Sequence, residues 1–263
     1  QHANTRALTE LAARLNQAAT LPPEARAGLL DAATVQLGHI TAGTRASLNG
    51  HHLNLQPARL YRTRAVKWLW DTRIPVGTLT LISGREGAGK SILLAWLTSA
   101  ITNGNLPGIW TGKPRAVLYC ATEDSWEYTI APRMLAAGAN LDLVYRVDAT
   151  APDGTHNPVN LPRDLQYLPD AVKQVDAAIL MCDPLLSVID DNVNVFKAQE
   201  VRTVLEPLVA VAEQTGIAVV GLAHFNKSRH ADSNSMIANT RAFVEVARAA
   251  IAIARDDQAD EYT

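Results

Sequence analysis

The chain has 263 residues, 48% of them hydrophobic, with 24 basic and 26 acidic side chains and a formal net charge of −2. That apolar content excludes a disordered chain, and 15 glycines with 13 prolines exclude collagen-like and low-complexity classes. No uncharged apolar run approaches the roughly 18 residues a membrane-spanning helix needs, and the start lacks the basic-then-apolar order of a signal segment.

The chain opens at Gln1 rather than Met, which leads us to expect a processed or excised piece of a longer protein. Leu8, Leu11, Leu15 and Ala18 recur at helical spacing. Pro22 and Pro23, tolerated in a first helical turn, lead into a second such set, Leu29, Leu30, Ala33 and Leu37. Residues 1–40 are therefore expected to form a small helical accessory element, too short to bury much core of their own. Gly, Asn, His and Ser then dissolve the pattern, which predicts a linker over 41–65. Charge is unevenly spread: residues 1–73 hold nine basic side chains against Glu10, Glu24, Asp31 and Asp71. Five of the nine, Arg59, Arg62, Arg64, Lys67 and Arg73, form one cluster. Such a cluster could meet nucleic-acid phosphates or an acidic neighbouring subunit, or could be a solvated linker.

From residue 66 to 263 apolar runs alternate with helical patterns. Strands are predicted at 78–83, 116–121, 143–147, 177–182, 217–223 and 249–254, and helices at 90–102, 125–137 and 198–214. Near-continuous apolar strands alternating with helices predict an α/β fold, with a mainly parallel central sheet covered by helices. Cys120 and Cys182, the only cysteines, end two of these strands, so a disulfide framework is not expected and a reducing cytoplasm is.

Directly after the strand at 78–83 stands Gly84-Arg85-Glu86-Gly87-Ala88-Gly89-Lys90-Ser91, followed by the apolar Ile92, Leu93 and Leu94. This is a phosphate-loop pattern in its proper strand-loop-helix setting. Glycines let the backbone curl so that its N–H groups face phosphate oxygens, and the following helix adds a partial positive charge. Lys90 would reach the terminal phosphates of ATP, and Ser91 would offer a hydroxyl to Mg2+. Such a site needs an acidic partner for the metal at the tip of another strand, and Asp183 follows six apolar residues at the carboxyl end of 177–182. Hydrolysis also needs a group for the attacking water. Thr122-Glu123-Asp124 ends the strand at 116–121, which we expect beside the phosphate-loop strand, with Glu123 as base and Asp124 capping the helix at Ser125. His224 ends the strand at 217–223 and could sense the γ-phosphate. On the residues alone, Arg241 and Arg248 read as ordinary surface arginines.

The order Gly84 to Ser91, Thr122-Glu123-Asp124, Ile179 to Asp183, His224 with Lys227, then Arg248 resembles the RecA-fold ATPases of the plasmid RepA hexameric helicase type. It is similar in particular to replication proteins of actinobacterial phages and mobile elements. Trp68-Leu69-Trp70, Ile74-Pro75-Val76-Gly77, Glu123-Asp124-Ser125-Trp126 with Pro132-Arg133, and His224-Phe225-Asn226-Lys227 carry the same likeness. The resemblance covers residue 66 onward and implies a RecA-like P-loop core that binds ATP and Mg2+ and works as a homo-oligomer, a hexamer, on single-stranded DNA. It also implies a primase-polymerase domain upstream or in trans and no membrane. By the same resemblance Arg248, with Arg241 as second candidate, is an arginine finger acting across subunits. It makes residues 190–202 and 226–239, with Lys197, Arg202, Lys227, Arg229 and His230, the strand-contacting loops. Because relatives continue past Arg255, a core trimmed at its C-terminus is expected. Alternatives in other classes are a filament-forming recombinase-type ATPase and an ATP-gated regulatory or scaffold module.

Overall fold

Near-continuous burial along the apolar runs decides the architecture. The computed structural model describes parts of residues 9–35, and residues 54–151, 153–224 and 241–254. The chain divides into two compact units, Gln1–Arg64 and Ala65–Thr263. In the first unit residues 9–13, 15–16 and 32–35 are helical, with Leu11 and Ala33 buried. A 3₁₀ turn, Ala58–Leu60, interrupts an exposed stretch that displays Arg59, Arg62 and Arg64.

The second unit opens with an antiparallel hairpin, β1 (Trp68–Trp70) and β2 (Ile74–Pro75). Next come β3 (Leu79–Gly84), β4 (Ala116–Ala121) and β5 (Val144–Arg146). A small antiparallel pair follows, β6 (Asp148–Thr150) with β7 (His156–Pro158). The chain ends its described part with β8 (Ala177–Asp183), β9 (Ala218–His224) and β10 (Ala249–Ile253). Six of these strands make one sheet in the order β10-β3-β9-β8-β4-β5, and every pairing in it is parallel. Parallel neighbours cannot be joined by tight turns, so the chain crosses over through α1 (Lys90–Thr102), α2 (Ala131–Ala136), α3 (Leu168–Val175), α4 (Ala198–Thr215) and α5 (Arg241–Val246). The sheet, its direction and its flanking helices agree with the expected α/β class.

One expectation is corrected. The strand carrying Thr122 to Asp124, β4, does not adjoin the phosphate-loop strand β3, because β9 and β8 lie between them. Burial explains the order. The first six residues of β8 are buried on both faces, which suits a strand with neighbours on either side, whereas β5 is short and mostly exposed and takes an edge.

Successive side chains point to opposite faces and feed two cores. Leu81, Leu118, Leu180 and Val219 pack beneath Val172 of α3, Leu205 and Leu208 of α4, and Phe243 of α5. Ile82, Tyr119, Met181 and Val220 pack beneath Leu94, Leu97 and Ile101 of α1, with Met134 of α2. Each fully buried Leu or Ile stabilises the fold by about 1.5–3 kcal/mol relative to exposure. Cys120 and Cys182 face each other in register on β4 and β8, both buried as free thiols.

The helix predicted over 125–137 is split. A π-type turn, Trp126–Ile130, is closed by Ser125, whose Oγ accepts from the Tyr128 amide at 3.3 Å, and α2 follows with Pro132 in its first turn. The cap is therefore Ser125 and not Asp124. Helix α4 stops at Gly216, whose φ of +74° any other residue would adopt only at a cost.

Candidate functional site

The loop after β3 is built by two different demands on glycine. Gly84 lies in register with Ile253 of β10 and His224 of β9, and a Cβ there would stand 2.6 Å from the Ile253 carbonyl oxygen. Gly87 and Gly89 instead adopt left-handed φ values of +75° and +92°, with nothing within 4 Å of where a Cβ would be. Open space therefore lies above the curled backbone. Arg85 and Glu86 are exposed, and the Ala88 amide closes the turn on the Arg85 carbonyl at 3.2 Å.

Lys90 begins α1 and is 6% exposed, and its ammonium donates to the carbonyls of Gly84 and Arg85, each at 2.9 Å. Burial lowers its pKa, while the charges of Asp183 and Glu86 oppose that shift. Two backbone carbonyls thus hold the charge in place under an open mouth.

Asp183 ends β8 opposite Ala121 of β4. Its Oδ2 accepts from the Tyr119 hydroxyl at 2.9 Å, and the hydroxyl of Ser91, the residue after Lys90, is near enough to favour the charged carboxylate. The hydroxyl and carboxylate expected to share a metal are therefore together. Among the described residues no group of three or more His, Cys, Asp or Glu could cage an ion. A single hydroxyl–carboxylate pair beside an open phosphate loop fits Mg2+, which keeps several waters and takes its other ligands from substrate phosphates.

Burial raises the pKa of Asp183; hydrogen bonds from Tyr119 and Ser91 oppose the shift and the charge of Asp124 adds to it. The folded chain thus holds this proton more tightly than the unfolded chain. The resulting stabilisation is fully present below the ordinary carboxylate pKa and is lost as pH rises through the raised value. Asp183→Asn is therefore expected to raise the urea midpoint of metal-free protein at neutral pH and to change it little near about pH 3. Urea titrations at both pH values check this, and a variant destabilised at neutral pH would contradict it.

Beyond β4, Glu123 is exposed, and among the described residues no hydrogen bond or ion pair restrains it. Asp124 is the restrained member of the pair, accepting from Arg133 Nη1 at 3.3 Å and adding to the field at Asp183. The backbone of His224 stands opposite Gly84, next to the start of the loop. Asn226, Lys227 and the rest of 226–239 lie outside the described residues.

Arg241 begins α5. Arg248 is exposed, and its amide donates to the Leu79 carbonyl at 2.8 Å, at the opposite end of β3 from Gly84. A six-residue strand spans about 17 Å at that distance, so the chain does not bring Arg248 to its own phosphate loop. Of the expected strand-contacting cations, Lys197 pairs with Glu200 at 2.9 Å, and Arg202 pairs with Glu206 at 3.0 Å and Glu245 at 2.6 Å. Their charge is largely answered within the chain.

Two neighbours of the acidic tips, Tyr119 and Arg133, were not assigned a role from sequence. A phenol inside an otherwise apolar strand is the available signal, since a buried hydroxyl demands an acceptor.

The described residues contain no helix long and apolar enough to cross a membrane. A family model described as an AAA domain matches residues 53–230, more than half of the chain. No curated protein matches it. The matched stretch runs through the phosphate loop, both acidic tips and β9, and stops before α5.

Proposed function

The chain belongs to that family of AAA domains and is a P-loop ATPase, and from this premise we propose a ring-forming helicase of the plasmid RepA type that moves on single-stranded DNA. Its setting would be replication of a mobile element, as a homo-hexamer with a primase-polymerase domain upstream or in trans. The observation that carries the nucleotide chemistry is the convergence of Lys90, Ser91 and Asp183 beside one open loop.

Lys90 would exchange its two carbonyl partners for phosphate oxygens, and the loop amides would receive the remaining oxygens. Ser91 and Asp183 would hold Mg2+, which when bound supplies positive charge against the charge that grows on the phosphate oxygens. Glu123, unrestrained and at a strand tip, would accept a proton from the attacking water. His224, beside Gly84, would hydrogen-bond the terminal phosphate and pass its loss to the segment that follows. The distance between Arg248 and its own loop supports a finger working in a neighbouring subunit's site. The run of basic residues along the sequence from Arg59 to Arg73, each exposed in its own unit, supports a polyanionic or acidic partner.

Steady-state ATP hydrolysis with and without single-stranded DNA tests the reading. Stimulation of about tenfold or more that weakens as salt rises is expected. Mixtures of Lys90→Ala and Arg248→Ala chains are expected to recover part of the activity, because some hybrid interfaces hold one intact composite site. ATP binding with almost no hydrolysis, with or without DNA, and no recovery in mixtures would turn the reading toward the regulatory module.

A further inference from the structure

We propose that Tyr119 is a positioning residue that sets the orientation of the Asp183 carboxylate toward the metal. This rests on the reading of Ser91 and Asp183 as the Mg2+ pair.

An aspartate at a strand tip turns about two side-chain torsions, and a metal can use it only when an oxygen faces the loop. Tyr119 lies on β4, the strand paired with β8, in register with Met181, two residues before the level of Asp183. Its ring points along the sheet to the tip and its hydroxyl donates to Asp183 Oδ2 at 2.9 Å. The ring is itself held, being 2% exposed and meeting the Trp126 ring edge-on at 5.8 Å between centroids.

One carboxylate oxygen is thus tied back to the core. A phenol that merely filled space would need some acceptor. This one takes its acceptor from the group the chemistry needs in a single rotamer. Partners of this kind behind a ligating carboxylate typically change metal affinity by about 10- to 100-fold.

The test uses Mn2+ in place of Mg2+ and follows its binding to the chain with a non-hydrolysable ATP analogue by electron paramagnetic resonance. Tyr119→Phe is expected to weaken Mn2+ binding about tenfold or more while analogue binding in EDTA stays within about twofold. Replacing Tyr119 by p-aminophenylalanine returns an N–H donor and is expected to restore most of the Mn2+ affinity. Unchanged Mn2+ affinity in Tyr119→Phe, or equal loss in both variants, would overturn the proposal and leave a packing role. If the unaltered chain bound no analogue at all, the parent reading would fall, and this one with it. Thermal unfolding of each variant shows that the folded chain is being measured.

Discussion

Lys90→Ala is expected to lower kcat/KM for ATP by about 10²–10³-fold, the loss typical of removing one preorganised donor from developing oxyanion charge. The buried ammonium occupies the floor of the loop and bonds two of its carbonyls. The shape of the loop should survive. Gly87 and Gly89 hold their left-handed conformations through backbone preference, and α1 is packed by Leu94 and Leu97. Equilibrium binding of a fluorescent ATP analogue beside circular dichroism separates a lost charge from a lost fold. Near-normal turnover in a folded variant would remove the loop from the chemistry.

Glu123→Gln should leave analogue binding intact and lower hydrolysis by about 10²–10⁴-fold, the usual range for a positioned general base. Asp124→Asn is the informative companion. Asp124 is tied to Arg133 and adds negative charge near Asp183, so its removal frees Arg133 and eases ionisation of Asp183. Its cost in turnover should be several-fold only. Single-turnover hydrolysis by both variants checks the assignment, and a larger loss for Asp124→Asn would move the role of base to that residue.

The parallel sheet was legible in the sequence because its strands are apolar on both faces and long enough to show it. The phosphate loop was legible from its glycines, its lysine and its place between a strand and a helix. Strand order was not, since nothing along β4 or β8 says which shares a ladder with β3, and neighbour choice depends on how completely each strand is covered. The pairs β1–β2 and β6–β7 were missed because strands of two or three residues show no period. Helix α3 was missed although Leu165, Leu168, Val172 and Val175 carry a helical spacing, with Pro169 tolerated in the first turn. The site was legible as a set of residues but not as a set of contacts. Tyr119 reads as another apolar strand position until its hydroxyl is seen against Asp183.

The facing thiols of Cys120 and Cys182 carry a practical consequence. Each sits in the β4–β8 ladder with almost no solvent contact, and the neighbouring thiol together with burial pushes the Cys182 pKa up. Both sulfurs line the cavity beside Leu161, Leu165 and Leu168, so the pace of alkylation times the opening of that cover without any added probe. The pair is a native stopwatch for whatever bound nucleotide does to the middle of the molecule.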